Sequence, residues 1–149
     1  MSTAHDVQVG DLLPEHVRGP ITRGDLALFA GASNDHVLLH IDSDFAKAAG
    51  MPDVFGHGML TMAYLAQLLT RWRPQARLRR WQGRFTAITP LYATVHCRGE
   101  VVEILHEDGE RRARVKLAAQ TADGVTTLEG EATVALDEPR SDQDHHAQA

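Results

Sequence analysis

The stretch GHGMLTMAYLAQLL, residues 56–69, decides how this chain folds. From Met59 to Leu69 the residues are apolar on nearly all sides of a helix, and such a helix belongs in the middle of a domain. Pro74 ends it, because proline cannot continue a helix. The stretch therefore predicts one long central helix that begins just after His57-Gly58.

The sequence pattern changes from helical to strand-like after Pro74. Four segments rich in Val, Thr and Ile follow, at 78–88, 94–105, 111–121 and 125–136. Two of the breaks between them contain the Asp-Gly pairs 108–109 and 123–124, which favour hairpin turns. These segments predict an antiparallel meander wrapped around the long helix, so the predicted fold class is α+β.

Two shorter helices are predicted before the central one. Thr22-Arg23-Gly24-Asp25 resembles a capping box, and the apolar run 26–30 after it fits a short helix that Gly31 ends. Ser43 is the candidate cap of a second short helix, which Gly50 stops. Both helices lie upstream of the central helix and frame a loop between them.

Length and composition exclude several classes of protein. At 149 residues the chain is one domain, with a net charge of −5 that argues against nucleic-acid binding. The single cysteine, Cys97, excludes an intramolecular disulfide. No apolar run approaches the roughly 20 residues that cross a bilayer, and no signal peptide pattern is visible. We expect a cytoplasmic domain over residues 1–137 and a polar, disordered tail over 138–149.

The loop at residues 32–42 contains a carboxylate and an imidazole, Asp35 and His40. Around one water they can act as a general acid–base pair: one accepts a proton from the attacking water, and the other donates a proton to the neighbouring carbon. The alternative is a turn with a capping aspartate and a buried histidine. Spacing alone favours this alternative, because such pairs are common in loops.

His57-Gly58-Met59 opens the central helix and changes that balance. A helix N-terminus presents unpaired N–H groups and a positive potential, and glycine lets a ligand approach the backbone closely. In a buried site one such N–H is worth about 3 kcal/mol to a developing oxyanion. The alternative is that Gly58 only permits the turn and His57 caps the helix, which we would prefer without the upstream pair.

Several short motifs together resemble one known family. They are FAGASND at 29–35, His40-Ile41-Asp42, Phe45-Ala46, Gly50 and HGMLTM at 57–62. Over roughly residues 7–136 the chain resembles the MaoC-like dehydratases, which include the (R)-specific enoyl-CoA hydratases. The resemblance implies a hotdog fold, in which a curved antiparallel sheet wraps one long helix. It also implies a homodimer or higher assembly with an acyl tunnel near the subunit interface.

The family motif reads Asp, any residue, Asn, Pro, any residue, His, and its ends match Asp35 and His40. The resemblance implies that these two activate the water that adds to a trans-2-enoyl thioester, while the N–H of Gly58 binds the thioester carbonyl. The product is an (R)-3-hydroxyacyl thioester of coenzyme A or acyl carrier protein. No metal or redox cofactor is implied. His57 and Met59 are candidate substrate-binding residues beside Gly58.

Arg84 belongs to a local basic cluster in this acidic chain. The cluster consists of Arg71, Arg73, Arg77, Arg79, Arg80 and Arg84. One interpretation is a patch for the phosphates of coenzyme A or for an acidic acyl carrier protein. The other is a solvated helix end and strand face. Met59 likewise either lines an acyl tunnel or fills the core.

Two departures from the family pattern affect these expectations. Val37 and Leu38 stand where the family has Asn and Pro, which hydrogen-bond and stiffen the loop. Leu91-Tyr92-Ala93 stands where the family has Pro-Gly-Asp, and tyrosine adopts a positive φ only at a cost. We therefore expect the turn at Tyr92 to differ from that of the family.

Two further functions compete with hydration. A hotdog thioesterase uses a carboxylate to direct water to the carbonyl carbon, and would release free thiol. A non-catalytic acyl-binding subunit of a heteromeric dehydratase is the third hypothesis, motivated by Val37 and Leu38. The pairing of Asp35 with His40 favours hydration over both.

Overall fold

A five-stranded antiparallel sheet dominates the computed structural model, which describes residues 6–136. The strands are β1 (His16–Arg18), β2 (Leu78–Phe85), β3 (Val95–Glu107), β4 (Glu110–Thr121) and β5 (Thr126–Ala135). They lie side by side in the order β1-β3-β4-β5-β2, so β4 is central and β1 and β2 form the edges. The predicted tail over 138–149 lies outside the described residues.

Three α-helices accompany the sheet: α1 (Arg23–Ser33), α2 (Ser43–Ala48) and α3 (Gly58–Trp72). α3 packs on the sheet through buried residues on adjoining turns, including Leu65 and Leu69. The α+β class and the long central helix are therefore confirmed. Among the described residues, no helix has the length and apolar character needed to cross a membrane.

The core lies between α3 and the middle strand of the sheet. Alternate residues of β4, among them Val115, Leu117 and Ala119, are at most 1% exposed. Successive side chains of a strand point to opposite faces, so these residues form one apolar row beneath the helix. Burial of this row fixes where α3 lies and therefore where its first residue is placed.

The hairpin predicted at Asp108-Gly109 is confirmed. Both residues have positive φ, 51° and 75°, as the tight two-residue turn between twisted strands requires. The Asp123-Gly124 break also joins two paired strands, β4 and β5, but as a wider loop in which Thr121 N–H donates to Val125 O at 2.9 Å.

The predicted meander is right for β3, β4 and β5 and wrong for β2. β2 pairs with β5, from Leu78 opposite Val134 to Phe85 opposite Leu128. The connection over 86–94 can span about 30 Å, whereas the three strand spacings from β2 to β3 cover only about 14 Å. A connection of this length lets β2 pair with the last strand instead of the next one.

Side-chain caps set the helix ends, and two predicted ends are wrong. The capping box at α1 is confirmed, since Asp25 N–H donates to Thr22 Oγ1 and Thr22 N–H to the Asp25 carboxylate. α1 ends beyond Gly31, because Asn34 adopts the left-handed conformation with φ 57°. Asp42, not Ser43, caps α2 by accepting from Phe45 N–H at 3.0 Å.

The turn at Tyr92 places a tyrosine in a left-handed backbone conformation. Ala93 N–H donates to Pro90 O at 3.2 Å, which closes a β-turn. Tyr92 stands in its third position with φ 63°, a conformation that favours glycine. Hydrogen bonds on both sides hold it there, because Tyr92 N–H donates to Ile21 O and Ile21 N–H to Ala93 O. The turn therefore has a backbone conformation that glycine adopts freely, although tyrosine occupies it. The expectation that it differs from the family's turn stays a prediction.

Substitution at Tyr92 tests this strain. We expect Tyr92→Gly to be more stable than Tyr92→Ala by about 1 kcal/mol, because only the alanine variant retains the penalty for a left-handed backbone. Ala122→Gly is the control, since Ala122 has no positive φ and should lose roughly 0.4–1 kcal/mol. Free energies of unfolding from urea titration measure both. A Tyr92→Ala variant more stable than Tyr92→Gly would contradict the account.

Candidate active site

The loop between α1 and α2 brings Asp35 and His40 together. Asn34 turns the chain at the end of α1, and Asp35 Oδ1 then accepts from Val37 N–H at 3.3 Å. A single 3₁₀ turn, Leu38–His40, follows and is closed by His40 N–H donating to Val37 O at 3.0 Å. The backbone between the two functional side chains is therefore compact although the family's Asn and Pro are missing.

A backbone carbonyl sets the tautomer of His40. His40 Nδ1 lies 2.7 Å from Phe55 O, and a carbonyl oxygen can only accept, so Nδ1 carries the proton. In the neutral imidazole, Nε2 therefore holds the lone pair. The Phe55 ring also contacts the imidazole edge to face, with centroids 4.9 Å apart. His40 is thus oriented with a basic nitrogen available for chemistry.

Gly58 is the first residue of α3, so its N–H has no acceptor within the helix. The close packing of Phe85 against Gly58 explains why this position holds a glycine. A Cβ added there would lie 3.0 Å from Cε1 of Phe85. The N-terminal, positive end of α3 is therefore formed by a residue that has no side chain and whose N–H has no partner within the helix.

Asp35, His40 and Gly58 line one cavity of about 380 Å³. Its other lining residues are Phe55, Gly56, Met59, Thr61, Phe85, Ala87, Ile88, Thr89 and Thr127. The structure thus brings together the three residues predicted as catalytic, with the predicted substrate-binding residue Met59 on the same wall. Their roles stay predictions, since the geometry alone measures no chemistry.

His57 lies behind this cavity rather than on its wall. It is 1% exposed. His57 occupies the N-cap position of α3, as the alternative interpretation had it, but its side chain makes no capping hydrogen bond. Its Nε2 lies 3.1 Å from Asp35 O, and its ring stacks on that of His40 with centroids 4.0 Å apart. Burial lowers the pKa of His57 below its ordinary value.

Arg84 is not brought to the cavity. Phe85 faces α3 and lines the cavity, so its neighbour Arg84 points to the opposite face of β2. There Arg84 lies opposite Glu129, with 3.4 Å between the charged groups. A contact between Arg84 and a substrate phosphate stays a prediction, and one that requires the substrate to reach the outer face of the sheet.

The basic cluster around Arg84 does not form one continuous patch. Arg77 is buried and donates to Leu136 O at 2.9 Å. Arg79 forms a two-bonded ion pair with Glu110, and the pKa of Glu110 falls to about 2 because Arg79 and Arg112 hydrogen-bond its carboxylate. Cations this closely paired are poor candidates for binding a mobile phosphate group.

Asp35, His40 and His57 place candidate metal-ligand atoms within 4.8 Å of one another. A metal ion lies in the ring plane of each histidine that binds it. The two rings here are stacked, with 27° between planes whose centroids are 4.0 Å apart, so their lone pairs run side by side instead of converging. This geometry does not favour a shared ion, and the expectation that no metal takes part stays a prediction.

Sequence reasoning missed the groups that hold His40 and its surroundings in place. Phe55 acts through its backbone oxygen, which leaves no signal in residue type. Phe29 packs its ring against His57 with centroids 5.0 Å apart, and its place in the motif at 29–35 was the available signal. The buried Thr61–Thr89 hydroxyl pair, 3.1 Å apart, fixes α3 to the segment that follows β2.

The sequence profile described as "MaoC like domain" matches residues 8–125. The chain therefore belongs to the family of MaoC-like domains. No curated protein sequence matches it significantly. Its motifs at 29–35 and 57–62 lie within the matched range and surround the cavity described above.

Solved structures with the same fold include two (R)-hydratases. The R-hydratase PhaJ1 from Pseudomonas aeruginosa is 27% identical with a TM-score of 0.78, over 89% of this chain and 84% of that one. The (R)-hydratase from A. caviae involved in PHA biosynthesis is 23% identical with a TM-score of 0.76, over 90% and 100%. The ChsH1-ChsH2 complex from Mycobacterium tuberculosis is 22% identical with a TM-score of 0.76, and the match covers 89% of this chain and 100% of that one. These likenesses confirm the hotdog fold.

Proline at position 38 tests how the loop replaces the family's Asn-Pro. Val37 has φ −58° and ψ 125°, which is the extended conformation that must precede proline. Leu38 is the first residue of the 3₁₀ turn, where a missing N–H is tolerated. We therefore expect Leu38→Pro to raise the free energy of unfolding by about 0.4–1 kcal/mol.

Leu39→Pro is the matched control for that substitution. It would place proline after a residue in helical conformation, which proline disfavours, and should destabilise the protein. Thermal unfolding of the two variants measures the difference. Equal destabilisation by both substitutions would contradict the loop conformation described here.

Proposed function

We propose that this protein hydrates trans-2-enoyl thioesters reversibly to (R)-3-hydroxyacyl thioesters. The observation that carries the proposal is the cavity on which a carboxylate, an imidazole with an available nitrogen and a helix-start N–H meet. Membership of the MaoC-like family supports the hydratase or dehydratase class. The likeness to PhaJ1, titled an R-hydratase, supports the same class.

His40 is the group that moves the proton in this proposal. Its Nε2 removes a proton from water as the water oxygen forms a bond to C3 of the enoyl thioester. The imidazolium then returns that proton to C2, so hydroxyl and hydrogen are both added and neutral His40 is restored. The Phe55 carbonyl keeps Nδ1–H in place through both steps, because it accepts from the neutral and the charged ring alike.

Asp35 orients the water and stabilises the charged intermediate state. One of its carboxylate oxygens lies within 4.8 Å of a ring nitrogen of His40, a separation that one bound water can bridge. A carboxylate at this distance also favours the imidazolium that forms on His40.

Gly58 stabilises the negative charge that develops on the thioester oxygen. Addition at C3 moves electrons through C2 onto that oxygen, and a fixed N–H aimed at it is worth about 3 kcal/mol in a site that excludes water. The dipole of the fifteen-residue helix α3 adds a favourable potential at the same point. The open N–H of Gly58 suits this role without any metal.

A second copy of the chain is part of the proposal. β2 is an edge strand, and an unpaired edge suits pairing with the same strand of a partner. Met59, Phe85 and Ile88 line the cavity and are about half exposed, which marks an apolar surface that association covers. The acyl group on coenzyme A or acyl carrier protein would enter next to this interface.

The test is hydration of crotonyl-CoA, followed by loss of the enoyl absorbance. Asp35→Asn and His40→Gln should each lower kcat by about 100-fold or more, because each removes a group that handles or orients the water. His36→Gln is the matched control, since His36 is exposed and lies outside the cavity. It should retain the activity of the unaltered protein.

The alternatives give different results in the same experiment. A thioesterase releases free thiol, which a thiol reagent detects. A non-catalytic subunit binds the thioester without turnover until a second subunit is added. Failure of the folded protein to hydrate enoyl thioesters of any chain length would contradict the proposal.

A further inference from the structure

One buried histidine contacts both members of the catalytic pair. The Nε2 of His57 lies 3.1 Å from the backbone oxygen of Asp35. Its ring stacks on His40 with centroids 4.0 Å apart and planes at 27°. Phe29 from α1 packs on His57 edge to face at 5.0 Å. His57 is therefore held in place itself, and it lies against the two groups whose geometry the reaction needs.

We propose that His57 is a positioning residue: as a neutral imidazole, it fixes Asp35 through its Nε2–H and fixes the ring plane of His40 by stacking. The inference rests on the proposed function, and it assigns a role that the sequence did not indicate. Since the oxygen of Asp35 can only accept, the proton of neutral His57 must be on Nε2. The side chain of His57 thus positions both Asp35 and His40.

His57 does not itself transfer a proton in this scheme. It is 1% exposed and is not among the residues that line the cavity. Burial lowers its pKa, which the hydrogen bond to Asp35 offsets in part. The titratable groups that face it are Asp35 and His40, whereas α1 contributes the uncharged ring of Phe29. A neutral ring in this position also avoids repelling the imidazolium that forms on His40.

The remaining nitrogen of His57 shows that the imidazole is needed for its N–H. Within residues 6–136, Nδ1 is buried and has no hydrogen-bond partner. An unsatisfied buried acceptor costs free energy, and a phenyl ring would fill nearly the same space without that cost. An imidazole here is useful only through the hydrogen bond that its other nitrogen makes to Asp35.

His57 also supports a loop that lacks the family's Asn and Pro. Val37 and Leu38 replace residues that would stiffen the loop from within, and both are exposed. The bond from His57 instead joins the loop at Asp35 to the start of α3, across 22 positions of sequence. Because α3 is anchored in the core, the loop gains a rigid support from outside itself. Small displacements of catalytic groups are costly, so such a support matters for rate.

The first experiment reads the tautomer directly in the unaltered protein. Two-bond ¹H–¹⁵N correlation spectra of ¹⁵N-labelled protein distinguish the two neutral tautomers from the cation for each histidine. We expect His57 to be the neutral Nε2–H form at pH 7. A neutral Nδ1–H form, or a cation at pH 7, would overturn the inference. This measurement does not depend on any enzymatic activity.

The second experiment separates positioning from structural support. His57→Phe keeps the stacked ring and loses the N–H, whereas His57→Gln keeps a donor and loses the ring. We expect each to lower kcat about tenfold or more, with KM for crotonyl-CoA within about twofold. The limbs of the pH–rate profile should stay at the same pH, because His57 does not titrate in the reaction.

His16→Phe is the matched control. His16 is also a buried histidine, and its Nε2 pairs with Gln67 Oε1 at 2.9 Å. Gln67 lies about two and a half helical turns after Gly58 in α3, and neither His16 nor Gln67 lines the cavity. That variant should lose stability and retain kcat. A folded His57→Phe variant with unchanged kcat, or loss of one limb of its pH–rate profile, would overturn the inference. If the unaltered protein shows no turnover, the proposed function fails and the tautomer measurement still decides the role of His57.

Discussion

Burial of α3 against the central strand β4 is the constraint on which the site depends. The apolar row of β4 allows the helix only one depth and direction, and this fixes the position of Gly58 at its start. The loop that contains Asp35 and His40 is then held against that start by His57 and by the carbonyl of Phe55. Asp35 and His40 themselves lie on a loop, but their supports come from a packed helix and its flanking segment.

In the candidate site, the groups that orient His40 are different from the groups that are proposed to take part in the reaction. The ring of His40 is oriented by the Phe55 backbone oxygen and by stacking on the buried ring of His57, and His40 lines the cavity. Gly58 contributes only its backbone, which no side chain obstructs. In many enzymes, groups fixed in place before the substrate arrives account for most of the rate enhancement, and the proposed function relies on the same effect.

Much of this could be predicted from residue patterns. The apolar run 59–69 predicted the central helix, the Asp108-Gly109 pair predicted a tight hairpin, and the motif ends predicted which loop residues approach Gly58. These features are local, since a helix period, a turn type or a short motif is encoded by neighbouring residues. The resemblance to the family then indicated that Asp35 and His40 belong to a functional site and not only to a turn.

The rest depended on contacts between distant parts of the chain. The residues of a strand show that it is a strand but not which strand it pairs with, so the sequence did not predict the pairing of β2 with β5. Tyr92 holds a glycine-like backbone because bonds to Ile21 force it, and no rule of residue preference contains that information. The supports of His40 were hidden for the same reason, because a backbone carbonyl carries no signal in the sequence.

A crystal structure with crotonyl-CoA bound to an Asp35→Asn, His40→Gln double variant tests the central claim most directly. We expect the thioester oxygen to lie about 2.7–3.1 Å from the nitrogen of Gly58, with C3 facing positions 35 and 40. A thioester carbonyl bound to any other donor, or an acyl group bound away from this cavity, would contradict it.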